Sequence, residues 1–380
     1  MGMMIHGTFI RGEDMKFNAI AVVLAVFLSS ATALGWGANT HKFIGKEFGK
    51  HIPPSMGFVL RNIDAISTHS VDPDNRKGDP AYPNESQKHF IDQDIYPEFF
   101  TGRLPHTLDS MNAKYGAAAV LTNGILPWAI AESFDSLVSA FRTSDSLKLI
   151  RYLSDLSHYV ADATQPLHVT QNYNPGGLHS RYETTMINPY LSTIVITPVV
   201  VPIVNGSIID DAFELQAATY VYVDSVIHAD GVAKTAAGGS TSSSAYYSSL
   251  WSNTQIFTVH LLQTATEKLA SLVYTAAVRA GMPMRVDDQK IAASGFALEQ
   301  NYPNPFNPAT TIRYSLDHQA HVTLIVYDAL GRTVQTMVNE NLSAGTYQQV
   351  FDASSLASGV YFYRLQVGSR VETKHMMLVR

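Results

Sequence analysis

The sequence predicts a mainly helical domain followed by a small all-β domain. Between Trp36 and about Met284 apolar residues recur at helical spacing. After about residue 285 they fall into short alternating segments separated by glycine turns. The 380 residues suffice for about two such domains, and 46% are apolar, enough for sizeable cores.

The chain opens as a secretory signal over residues 1–35. Lys16 supplies the basic flank, Phe17 to Leu34 is mostly apolar, and Ser29 to Ala33 are small, so the mature chain would start at Trp36. Glu13 and Asp14 fit a signal poorly, which makes Met15 an alternative start. The competing reading, a retained membrane anchor, meets a run that is short for a span. Leu149, Leu153, Leu156 and Val160 mark one face of a helix. Trp251 to Gly281 marks another, which Gly281 and Pro283 end. Gly238 to Ser244 reads as a flexible loop. Strands are expected at Thr310–Ser315, His321–Tyr327 and Val360–Val367, with turns at Gly331, Gly345 and Gly359, the pattern of a small sandwich. The expected division is 36–285 helical, 286–295 linker and 296–380 all-β.

The net charge of −6 disfavours a basic nucleic-acid surface, so no stable nucleic-acid partner is expected. The chain has no cysteine, which excludes disulfides and thiolate metal sites. Its 14 histidines leave imidazole and carboxylate as metal ligands, a set that suits zinc. The strongest local signal is His158-Tyr-Val-Ala-Asp162-Ala-Thr-Gln-Pro-Leu-His168. His158 and Asp162, four apart, share one helix face and could grip one metal. Pro166 ends that helix and His168 follows it. His179 and Glu183 repeat the spacing after the Gly176-Gly177 turn. Upstream candidates are Asp74, His89 and the run Trp36-Gly-Ala-Asn-Thr-His41.

In order and approximate spacing, Trp36…His41, Asp74…His89, His158…Asp162…His168 and His179…Glu183 resemble the zinc phospholipase C superfamily, which also contains single-strand-specific nucleases. The match spans roughly Trp36 to Gly281. The resemblance implies a trinuclear zinc site on a phospholipase C/nuclease-like helical fold. Asp74, His89, His158 and Asp162 would hold one zinc, and His168, His179 and Glu183 a second. The amino group and carbonyl of Trp36, with His41 and a bridging Asp162, would hold the third, so signal removal would complete the site. Asp74 and Asp162 are the catalytic candidates, Asp74 as the residue that orients or deprotonates water and Asp162 as the bridge.

The expected activity is phosphodiester hydrolysis, and the substrate is a phospholipid or other phosphodiester. Glu183 and the short gap from His168 to His179 resemble the phospholipase branch. The alternatives are a nuclease of the same superfamily and a non-catalytic surface binding protein. Asn75 and Ser86 stand where choline-preferring members carry aromatics, so a cation–π cage for choline is not expected. Tyr82, Tyr96, Phe99 and Phe100 are candidate pocket residues, and transient contact with a membrane surface is expected.

Tyr302-Pro-Asn-Pro-Phe-Asn-Pro308 and the strand segments after it resemble the C-terminal sorting domain of type IX secretion cargo, over residues 296–380. This implies the type IX machinery as partner and a secreted or cell-surface location reached through the periplasm. A sandwich that binds substrate or wall polymer is the other reading. His318, His321 and His375 are read as surface or strand residues, not ligands.

Overall fold

The computed structural model describes residues 36–282, 296–298, 301, 304, 306–316, 318–343, 345–368 and 370–378. The expected signal, the start at Met15 and the linker at 286–295 lie outside the described residues.

Helices fill the first part: α1 (Ala38–Glu47), α2 (Gly57–Arg61), α3 (Ile63–His69), α4 (Asp72–Asn75), α5 (Leu108–Tyr115), α6 (Ala117–Thr122), α7 (Leu126–Thr143), α8 (Ser146–Ala163), α9 (Leu178–Ser180), α10 (Ile208–Tyr220), α11 (Val223–Ala236) and α12 (Ser244–Arg279). Among the described residues no helix is long and apolar enough to cross a membrane. α8 is the element that positions the site. Its start is capped by Asp145, whose side chain accepts from the Lys148 amide at 3.1 Å. Leu149, Leu153, Leu156 and Val160 are all buried, each side chain contributing about 1.5–3 kcal/mol. α8 packs against α1, α3, α7 and α12, so every residue from Leu153 to Ala163 is buried. A helix enclosed on all sides carries its polar residues, His158 and Asp162 included, into the core.

α12 begins earlier than its apolar pattern announces. Ser243 caps it, accepting from the Tyr246 amide, and of the stretch before Trp251 only Tyr246 and Leu250 are buried. Helical periodicity is faint where one face is so thinly apolar.

The second part has β1 (Ala297–Leu298), β2 (Ala309–Leu316), β3 (Ala320–Asp328), β4 (Thr333–Leu342), β5 (Gly345–Asp352), β6 (Gly359–Val367) and β7 (Arg370–Leu378). They form two antiparallel sheets, β1-β2-β5 and β4-β3-β6-β7, with a shared core of Ile312, Tyr314, Leu324, Phe351, Tyr363 and Leu365. β6 has two dry faces. Tyr361, Tyr363 and Leu365 point into the sandwich, whereas Val360 and Phe362 join the helical core. The Phe362 ring lies over Tyr222 at 5.8 Å. This accounts for the unbroken Val360-Tyr-Phe-Tyr363 run. His318 and His321 are exposed as expected. His375 is a strand residue as expected: from β7 it faces His260 of α12, ring centroids 5.5 Å apart.

Candidate metal centre

Seven elements bring eight of the nine sequence candidates to one place, and Trp36 lies just ahead of the first. α1 delivers His41, α4 Asp74, a 3₁₀ turn (Glu85–His89) His89, and α8 His158 and Asp162. A second 3₁₀ turn (Pro166–His168) ends on His168. Gly176 and Gly177, both at positive φ, turn the chain into α9, where His179 sits, and a π turn (Arg181–Met186) then holds Glu183.

Asp162 is the hub. Its Oδ2 lies 3.0 Å from His89 Nδ1 and 3.2 Å from His158 Nε2, and its Oδ1 3.5 Å from His41 Nε2 and 3.8 Å from His168 Nδ1. Asp74 Oδ1 lies 3.5 Å from His89 and 3.7 Å from His158. On the other side His179 Nε2 approaches Glu183 Oε2 at 2.7 Å and His168 Nε2 at 2.9 Å. Donor atoms within 4.8 Å of one another form three sets: His41, His158 and Asp162; Asp74, His89 and His158; His168, His179 and Glu183. Trp36 is buried on Tyr182, and the Gly37 amide donates to the Glu183 carbonyl at 3.2 Å. A side chain at Gly37 would strike Thr184 Oγ1. The expected mature start therefore lies against the Glu183 turn, five residues before His41.

The sets fit a divalent cation. Both nitrogens of His41, His179 Nδ1 and Asp162 Oδ1 are buried with no hydrogen-bond partner. Leaving such atoms unsatisfied is costly, and imidazole and carboxylate are the donors zinc accepts. Outer hydrogen bonds aim the rings inward. His158 Nδ1 donates to the Ser70 carbonyl at 2.7 Å, and His168 Nδ1 to the His89 carbonyl at 2.5 Å. Each leaves Nε2 as the lone-pair nitrogen facing the cluster.

Electrostatics keep His41, His89, Asp74 and Asp162 deprotonated. Burial, helped by His158, lowers His41 to about 3, and burial lowers His89 to about 3. Burial would raise Asp74, but His158 and Lys77 draw it down to about 2. Burial also opposes ionisation of Asp162, yet His158 and His168 hold it well below the usual carboxylate range. His158 and His168 are raised despite burial, because Asp162 favours their charged forms.

Sequence reading missed the supports. Lys77 Nζ lies 2.7 Å from Asp74 Oδ1. Gln165 donates to Glu183 at 3.1 Å. Arg76, Glu85, Asp155 and Tyr159 form a buried network beside His89. The available signal was adjacency, since each stands one to four residues from a candidate ligand. Of the aromatic pocket candidates, Tyr96 packs on Tyr115 in the core, Phe99 packs on Tyr220, and Phe100 is 64% exposed. Tyr82 lies under Arg76 and Arg151.

Residues 300–379 match the Secretion system C-terminal sorting domain family, which marks the chain as secreted or held at the cell surface. No curated relative matches the chain. Among solved structures, alpha toxin from Clostridium absonum aligns at 12% identity over 92% of this chain and 97% of its own, with a TM-score of 0.43. Alpha-toxin from an avian strain of Clostridium perfringens aligns at 12% identity over 91% and 93%, with a TM-score of 0.37. Scores this low do not establish a shared fold.

Proposed function

We propose that the exported helical domain is a zinc-dependent phosphodiester hydrolase of the phospholipase C kind. The observation that carries this is the convergence of three imidazole–carboxylate sets on Asp162, with buried donor atoms left without partners. Asp74, His89, His158 and Asp162 would hold one zinc, and His168, His179 and Glu183 a second. His41 and Asp162 would hold the third, with the amino group and carbonyl of Trp36 after signal removal. Bound zinc supplies Lewis acidity, which offsets phosphate charge and makes water a nucleophile at neutral pH.

The chain's own residues do the rest. Asp162 sets the spacing between the sets, because both its oxygens face imidazoles. Asp74 is the one carboxylate of the cluster whose side chain is 10% exposed, against 0% for Asp162 and 2% for Glu183, so it meets incoming water. With its pKa near 2 it orients that water through a lone pair and is a poor proton acceptor. The Lys77 ammonium, 2.7 Å from Asp74, adds positive charge where a phosphate would approach.

An apolar ledge beside the centre favours a lipid. Asp94 accepts from Thr170 Oγ1 and the Gln171 amide, just after His168. Ile95, which follows Asp94, is 44% exposed, and Tyr173 is 48% exposed with its ring 6.1 Å from His179.

The test gives the purified protein short-chain phospholipids of several head groups, a generic phosphodiester and single-stranded DNA. Forms with and without residues ahead of Trp36 are compared, and zinc is counted in each. Diacylglycerol release is expected, with less zinc in the extended form. Nucleotide release without diacylglycerol would replace the lipase reading with the nuclease. A zinc-loaded chain that cleaves none of the three would end both.

A further inference from the structure

His89 differs from its neighbours in what stands behind it. His158 and His168 each pass their outer nitrogen to a main-chain carbonyl. The outer nitrogen of His89 is Nε2, buried and without a hydrogen bond, and it faces Oε1 of Glu85 at 3.8 Å. Its inner nitrogen, Nδ1, faces Asp162 and Asp74. An imidazole that gives Nδ1 to a cation carries its proton on Nε2, where a carboxylate stands as acceptor.

Glu85 is itself held hard. Only 3% exposed, it accepts from Tyr159 Oη at 2.5 Å and from Arg76 at 3.3 Å. Arg76 also grips both oxygens of Asp155, at 2.9 and 3.2 Å. One guanidinium thus serves two buried carboxylates, and its pKa rises because burial is outweighed by Asp155 and Glu85. A second, half-exposed guanidinium, Arg151, stands 3.9 Å from Asp155, so of the two carboxylates Glu85 is the one that turns to the His89 imidazole. The members also bind the ligand-bearing segments together. Arg76 is two residues from Asp74, Glu85 four from His89, and Tyr159 one from His158.

We infer that Glu85 is a positioning residue of the metal centre: a charged brace that fixes the proton of His89 on its outer nitrogen and keeps the inner one for a cation. The inference rests on the proposed zinc centre. Arg76 and Tyr159 hold the brace, while Asp155, which bonds Arg76 and faces Arg151, should matter to folding more than to metal.

The experiment measures zinc dissociation constants by chelator competition, and the melting temperature of the metal-free form, for the full chain and for Glu85→Gln, Tyr159→Phe and Asp155→Asn. Glu85→Gln keeps shape and removes charge. It should weaken the tightest affected ion by about 10–100-fold with little change in the metal-free melt. Tyr159→Phe loosens the brace and should cost about 3–10-fold. Asp155→Asn should lower the metal-free melt and leave zinc affinity unchanged. If Glu85→Gln does not fold, Tyr159→Phe alone decides. Unchanged zinc affinity in the folded variants, with lower melts in all three, would make the network purely structural and overturn the inference. A parent chain that takes up no zinc overturns the metal centre as well.

Discussion

The helical region and the β region bury their interiors on opposite terms. The sandwich closes on Ile312, Tyr314, Leu324, Phe351 and Leu365, and its buried Asn301 and Thr310 bond each other at 2.9 Å. The helical region is dry at its periphery, but its middle holds five buried histidines with Asp162 and Glu183, and among their atoms both nitrogens of His41, His89 Nε2, His179 Nδ1 and Asp162 Oδ1 lack hydrogen-bond partners. A dry core stabilises by area removed from water, whereas a polar centre of this kind needs something added to it. The sandwich should be stable as synthesised, and the helical region should depend on its ions.

That contrast can be broken most directly at Asp162. Asp162→Asn should lower turnover by about 10²–10⁴-fold with helix content preserved, since one hub atom is changed and no volume is lost. Near-normal turnover would mean that the polar centre is architecture without chemistry. The next largest effect is on stability. Chelation should lower the melting temperature of the helical region by about 10 °C or more and leave the sandwich transition in place, as calorimetry would show. A single unshifted transition would erase the difference between the two interiors.

The smallest effect concerns their meeting point. His260 on α12 and His375 on β7 are both lowered by burial, to about 3 and about 4, and Lys374 adds to it. Glu267, Glu372 and Arg364 line the same crevice. An imidazole released from this contact takes a proton near its ordinary value of 6.5, and the docked one does not. The contact is therefore fully stable above about pH 6.5 and loses strength as pH falls toward 4. Amide exchange along α12 should rise over that range, and the double variant His260→Gln, His375→Gln should flatten the rise.

The polar centre was more legible in the sequence than the contacts around it. His158 and Asp162, then His179 and Glu183, are set by local spacing, and residue type alone names their chemistry. The helical class followed from Leu149, Leu153, Leu156 and Val160, whose pattern is visible because the first half of α8 keeps one face in water. α10, α11 and the first turns of α12 were not singled out, since their apolar faces are narrow or interrupted. Glu85 and Lys77 escaped because a charged residue reads alike whether it is solvated or buried; only tertiary packing distinguishes the two. The outward burial of Phe362 was hidden for a related reason, as alternation assigns a strand one wet face.

β6 lacks one from Val360 to Tyr363, and this bears on how freely the address and its cargo can be exchanged. A change at Tyr361 or Tyr363 is felt by the sandwich, and one at Val360 or Phe362 by the helices. A tail transplanted from another exported protein would bring a different outer surface and leave Tyr222 uncovered. The label on this molecule is fitted to its contents.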